Sequence, residues 1–270
     1  MKSLTLFTAL ALIGSNTALH ASHGQNFLLL EDYDIPVPGH GQVVGTFDWE
    51  RHDGIDSYST EPSLLFGVIP HAALSLSPRF GDEAGEGWDY ASITPRLHLR
   101  LPENKLPFRM GLSLGYQFAE GHSEAGETEE DGHGGGHEDE HGGHHEAVDT
   151  DSHDSRGGID DHDNSLWHTR LLVETDLTTS TKAVFNIIGV FPESGTAAWG
   201  YGVGIRQQVI NSLAVGVEAR GDFESHGQHE LLVGSYWSPV HDFTLRIGCG
   251  FGLTEETPDF VLRTGIIVRF

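Results

Sequence analysis

The 270-residue chain is 37% hydrophobic, carries a formal charge of −25 and has 35 glycines but a single cysteine, Cys249. Beyond its N-terminal leader, no stretch supplies the roughly eighteen consecutive apolar residues that a membrane-spanning helix needs, which excludes a helical membrane protein. One cysteine excludes an internal disulfide, and an acidic chain without a basic patch is not built to bind nucleic acid.

Residues 1–21 read as an export signal, with Lys2 ahead of the apolar run from Leu4 to Ile13 and small or polar residues after it. Residues 22–40, with Phe27-Leu-Leu-Leu30 and the Pro36-Val-Pro38 break, form an N-terminal extension. Its composition fits either the periplasm or the inside of a barrel. From Gly41 onward the dominant signal has a period of two, the mark of strands with one apolar face. Twelve such segments are legible: 42–50, 63–69, 73–80, 90–101, 108–118, 166–177, 182–191, 199–208, 213–223, 229–237, 243–253 and 260–270. In the fifth, Phe108, Met110, Leu112, Leu114, Tyr116 and Phe118 share one side. Most have about the nine to eleven residues that a tilted strand needs to cross hydrocarbon.

Links after even-numbered segments are short, such as Pro70-His71, whereas those after odd-numbered ones tend to be longer, including 53–62, 81–89 and 119–164. Short periplasmic turns alternating with longer outer loops are the rhythm of an up-and-down barrel with both ends in the periplasm. Ten of the twelve arginines (all but Arg51 and Arg156) fall opposite the apolar face. An arginine on the lipid side would cost roughly 2–4 kcal/mol near the midplane, so this placement is what a bilayer enforces. The expected fold is therefore all-β, a transmembrane antiparallel up-and-down β-barrel of about 12 strands over residues 41–270. Residues expected to line its lumen are Arg96, Arg100, Arg109, Arg170, Glu174, Asp176, Arg206, Glu218, Arg220, Asp222, Glu230, Arg246 and Arg263.

The last eleven residues alternate Phe260, Leu262, Thr264, Ile266, Val268 and Phe270 against Val261, Arg263, Gly265, Ile267 and Arg269. With Arg263, Gly265, Val268 and Phe270 in its defining places, this tail resembles the terminal-strand signal of bacterial outer-membrane barrels. The resemblance implies residence in the bacterial outer membrane, lipid contact, and delivery to the barrel-assembly machinery. In its hairpin rhythm, and around Phe66-Gly-Val-Ile-Pro70 and Leu74-Ser-Leu76, the chain also resembles the putative outer-membrane transporters associated with meta-cleavage phenol degradation.

The segment 119–164 has sixteen acidic residues against Arg156 alone, which leaves only −10 for the rest of the chain. It has ten glycines, no aromatic residue and eight histidines: His122, His133, His137, His141, His144, His145, His153 and His162. Such a composition buries too little to offset its ordering entropy and is expected to be disordered and extracellular. Imidazole and carboxylate at this density suit zinc, nickel, cobalt or copper(II), and the absence of Met and Cys argues against copper(I). Two functions follow. One is a channel or receptor that binds a divalent metal, zinc foremost, at this loop for uptake or sequestration. The other is a passive channel for small organic solutes, the loop being a solvated accessory. An arginine-rich lumen favours anions whereas the loop favours cations, so the loop is expected to serve sequestration or sensing rather than permeation. No outward Ser/His pair of the kind needed for phospholipase chemistry is recognisable, so an enzyme is not expected.

Overall fold

The computed structural model describes residues 27–83, 87–102, 106–119, 165–193, 195–223 and 227–270. Strand segments are β1 (Gly41–His52), β2 (Ile55–Thr60), β3 (Ser63–Ile69), β4 (Ala72–Glu83), β5 (Asp89–Arg100), β6 (Arg109–Ala119) and β7 (Leu166–Asp176), followed by β8 (Thr181–Pro192), β9 (Ala198–Ile210), β10 (Leu213–Asp222), β11 (His229–Val240), β12 (Phe243–Gly252) and β13 (Phe260–Arg269). Each pairs antiparallel with its neighbours, and β13 returns to β1 from Gln42–Arg269 to Arg51–Phe260. Closure is completed by the Gly41 N–H donating to Phe270 O at 2.8 Å and the Phe270 N–H donating to Gly41 O at 2.9 Å. The cylinder leaves no free sheet edge, the condition for a sheet to live in hydrocarbon.

The thirteen segments make twelve staves, because β2 and β3 are one stave broken at Glu61 and Pro62. Pairing of this stave with β4 stops at Thr60–Phe80 and resumes at Leu64–Leu76. Pro62 has no N–H to give and lies opposite Pro78 in this register, so hydroxyls do the stitching. Thr60 Oγ1 donates to Thr46 O at 2.6 Å, Thr46 Oγ1 to Glu61 O at 3.2 Å, and Ser77 Oγ to Ser63 Oγ at 2.9 Å.

One loop expectation is corrected here. Residues 53–62 are not a long connection: Asp53 and Gly54 take φ of 48° and 80° and turn the chain in two residues, after which Ile55–Thr60 runs back as strand. Positive φ at both positions suits a tight hairpin, and Asp-Gly tolerates it at little cost. The alternation over 55–60 was hidden because its two bulky residues, Ile55 and Tyr58, fall on opposite parities among Asp56, Ser57, Ser59 and Thr60.

Around the wall, parity separates two environments. Leu64, Leu74, Leu76, Ile205, Val217, Val233, Ile247 and Ile266 are all exposed on the outside, as is Cys249. Ser75, Thr94, His98, Ser113, Gln117, Glu174, Asn186, Glu218 and Arg246 are buried inside. Toward the long-loop end, aromatic pairs ring the exterior: Trp49 with Phe260, Phe80 with Tyr90, Tyr116 with Trp167, and Phe191 with Trp199, centroids 5.0–5.9 Å apart. Amphipathic rings at that level form an interfacial girdle. An apolar outer band with polar and charged groups turned inward is an aqueous protein inverted, and only a bilayer makes it favourable.

Candidate functional site

The lumen is occupied by the chain itself. Residues 27–37 run through it from mid-depth to the end where the short turns lie, and Phe27, Leu29, Leu30, Glu31, Tyr33, Asp34 and Ile35 are all buried. The wall makes room by lacking side chains. Gly216, Gly234 and Gly248 stand in register across β10, β11 and β12. A Cβ at Gly234 or Gly248 would lie 2.9 or 2.6 Å from Leu28 Cδ1, and one at Gly202 would lie 2.4 Å from Leu30. Phe27, Leu29 and Leu30 then pack with Val184 and Leu232 into a small apolar core inside the barrel.

Polar groups of the wall satisfy the segment's backbone, as a buried chain requires. Glu218 accepts the N–H groups of Leu28 and Leu29 at 2.9 and 2.7 Å, and it also accepts the Tyr236 hydroxyl. Asn186 mimics a strand partner, accepting the Glu31 N–H at 3.2 Å and donating to Glu31 O at 3.1 Å. Arg246 donates to Phe27 O at 2.5 Å. Arg100 donates to the carbonyls of Tyr33 and Ile35 at 3.2 and 2.7 Å, and its guanidinium lies 5.2 Å from the Tyr33 ring centroid.

The segment's acids meet the wall's cations. Glu31 is held by Arg96 Nη1 at 3.0 Å and Arg170 Nη1 at 3.2 Å, with His98 Nδ1 at 3.7 Å. Asp34 pairs with Lys182 at 3.2 Å and lies 3.7 Å from Arg100. Lys182 also reaches Glu174 at 3.0 Å, and Arg109 bridges Glu174 and Asp176 at 2.6 and 3.0 Å. Among the described residues the wall cations Arg96, Arg100, Arg170, Lys182 and Arg246 bond the segment, and the wall acids Glu174 and Glu218 accept from its backbone. Without residues 31–34 the wall at this depth would carry a marked positive excess.

Above the segment, toward the long-loop end, lies a vestibule of about 460 Å³ floored by Phe27–Glu31. On one side Arg263 is clamped by Asp48 at 2.5 Å, Glu50 at 3.1 Å and Glu230 at 3.2 Å, and Glu230 also takes Arg220 at 3.2 Å. The same vestibule is lined by Arg79, Glu61, Gln117 and His168, whose Nε2 is 3.2 Å from Gln117 Oε1. His52 lies at the rim, its Nδ1 3.2 Å from Thr257 O.

Of the other residues singled out in the sequence, Arg206 stacks over Tyr236 at 4.9 Å, and Asp222 accepts the Gln228 N–H at 2.9 Å where it anchors an outer turn. The eight loop histidines lie outside the described residues. Among the described residues, the one carboxylate cluster with metal-like spacing is Asp32, Asp34 and Glu174. Lys182 already neutralises two of its members. Sequence reading did not single out Glu31, Asp34, Lys182 or Asn186. Two signals pointed to them: the inward glycines of β9–β12, which leave a void to be filled, and acids directly after Phe27-Leu-Leu-Leu30.

No known family profile matches the chain, and no curated protein does. Solved structures do resemble it. The KdgM porin aligns over 85% of this chain and 99% of its own, at 7% identity and a TM-score of 0.55. The same porin in complex with disordered oligogalacturonate gives 0.56. The COG4313 outer membrane channel from Pseudomonas putida F1 aligns over 88% of this chain and 98% of its own, at 12% identity and 0.55. The chain thus has the fold of bacterial outer-membrane β-barrels, and its lipid-facing belt agrees with that placement.

Proposed function

We propose that this protein is an outer-membrane channel for small organic anions, held shut at rest by its own residues 27–37. The observation that carries the reading is the charge pairing inside the lumen, where Arg96 and Arg170 are neutralised by Glu31 on a tethered segment, and Lys182 is shared between the segment's Asp34 and the wall's Glu174. A wall rich in fixed guanidinium groups stabilises anions in transit and repels cations. A wall neutralised from within itself would carry no such preference. The oligogalacturonate recorded with the KdgM porin is an acidic solute, and an acidic organic solute suits the lumen of this chain on the same chemistry. No catalytic role is assigned to the barrel.

Planar-bilayer recording tests this reading. The full-length protein should conduct poorly, and removal of residues 27–37 should produce a larger, anion-selective current. A cation-selective current from the truncated barrel would refute the proposal.

Metal capture by His122, His133, His137, His141, His144, His145, His153 and His162 is a separate property of the acidic loop. It rests on composition alone. Calorimetry with zinc or nickel, comparing the intact chain with one lacking 120–164, decides it.

A further inference from the structure

We propose that Arg96, Arg170, His98 and Ser113 form a binding site for the carboxylate of a permeating organic acid, and that Glu31 is a tethered stand-in which this carboxylate displaces. The inference rests on the anion-channel reading above and names the point at which the closed channel recognises its solute.

The site is built before any solute arrives. Arg96 and Arg170 project from different staves, β5 and β7, and converge on one oxygen of Glu31, at 3.0 and 3.2 Å. His98 is fixed on the other side by Ser75 Oγ, 2.9 Å from its Nε2, and turns Nδ1 toward the second oxygen at 3.7 Å. Ser113, on β6, adds its hydroxyl to the carboxylate's surroundings. A buried carboxylate between two guanidinium groups is held ionised, so the occupant is an anion rather than an acid.

The occupant fits imperfectly. Both arginine contacts fall on Glu31 Oε1, while Glu31 Oε2 and Arg96 Nε are buried without a hydrogen bond. The tether explains the misfit, because the Glu31 backbone is clamped on both sides by Asn186 and cannot swing its carboxylate into a two-oxygen geometry. A free carboxylate has no such restraint and can engage the guanidinium fork with both oxygens, the stronger arrangement. Approach is open from the vestibule, whose lining includes Glu31, Arg96 and Arg170 and which reaches His52 at the rim. Its volume of about 460 Å³ admits a small acid. Exchange would remove the segment's main charge anchor in mid-lumen while leaving its backbone contacts to Asn186 and Glu218, so release is reversible.

The test is chemical rescue in the full-length chain. Glu31→Ala removes the stand-in carboxylate and leaves a hole of matching chemistry, for which sodium acetate is the probe and acetamide the uncharged control. By calorimetry in detergent, acetate should bind Glu31→Ala at least about tenfold more tightly than the unmodified protein, because no tethered competitor must be displaced. Acetamide should bind neither, and adding Arg170→Gln to Glu31→Ala should abolish the gain. Equal acetate affinity with and without Glu31, or a gain that survives Arg170→Gln, would overturn the site, as would inorganic phosphate binding Glu31→Ala more tightly than acetate does. If Glu31→Ala does not fold, Glu31→Gln keeps the volume, removes the charge, and should show the same ordering. Selectivity of the current is read separately. An anion-selective barrel without the acetate effect removes this site alone, and the acetate effect in a barrel that is not anion-selective removes the channel reading alone.

Discussion

The two halves of the lumen neutralise their arginines differently. In the outer half Arg263 is locked by Asp48 and Glu50 of β1 and Glu230 of β11, all belonging to the same wall. In the inner half Arg96 and Arg170 find their counter-charge on Glu31, which belongs to a segment with no place in the sheet. Lys182 divides itself between Asp34 of that segment and Glu174 of the wall, while Arg109 stays with the wall acids Glu174 and Asp176. A pair made within the wall comes apart only if the barrel does. A pair made with the segment comes apart whenever the segment leaves, and the barrel survives. The outer set is therefore architecture and the inner set is a closure that can be undone.

The sharpest way to break this contrast is to remove residues 27–37. Conductance in planar bilayers should rise by about fivefold or more as a filled lumen becomes an aqueous one, and the barrel should still fold. Loss of folding would show that the segment belongs to the architecture after all. In the outer half, Arg263→Gln should do the reverse. It strands Asp48 and Glu50 and leaves Glu230 to Arg220 alone, at a cost of about 3 kcal/mol, read as a lower unfolding temperature with conductance unchanged. A subtler probe is Gly234→Leu, since even a Cβ there meets Leu28 Cδ1 at 2.9 Å. Unseating Leu28 should raise the current by roughly twofold, less than full removal, because Glu31 and Asp34 still hold. The smallest effect is expected from deleting 120–164, which should leave single-channel current within about twofold at physiological salt because screening limits the reach of its charge. A collapse of the current would tie the loop to conduction.

Much of the wall was legible from the sequence for one physical reason. Every position in a closed barrel faces either lipid or lumen, so each side chain's polarity reports its direction, and ten arginines on one parity are decisive. The C-terminal strand pairs with β1 at the closure, where a final alternating stretch belongs. The stave at 55–60 escaped notice because Asp56, Ser57, Ser59 and Thr60 show no apolar alternation, and a strand lining a wet vestibule needs none.

Residues 27–40 were another matter. Their apolar run and their acids were visible, but the periplasm and the lumen remained equally open to them. The deciding partners, Glu218, Asn186, Arg170 and Arg246, lie between 139 and 219 positions away along the chain. Periodicity reports which way a side chain points, not what stands across the cavity from it. The sequence alone determined that there is a cylinder, which face is oily and which is charged. Only the tertiary structure decided that the cylinder is filled by its own N-terminal segment, because that depends on a row of glycines and a set of guanidinium groups meeting the segment in space.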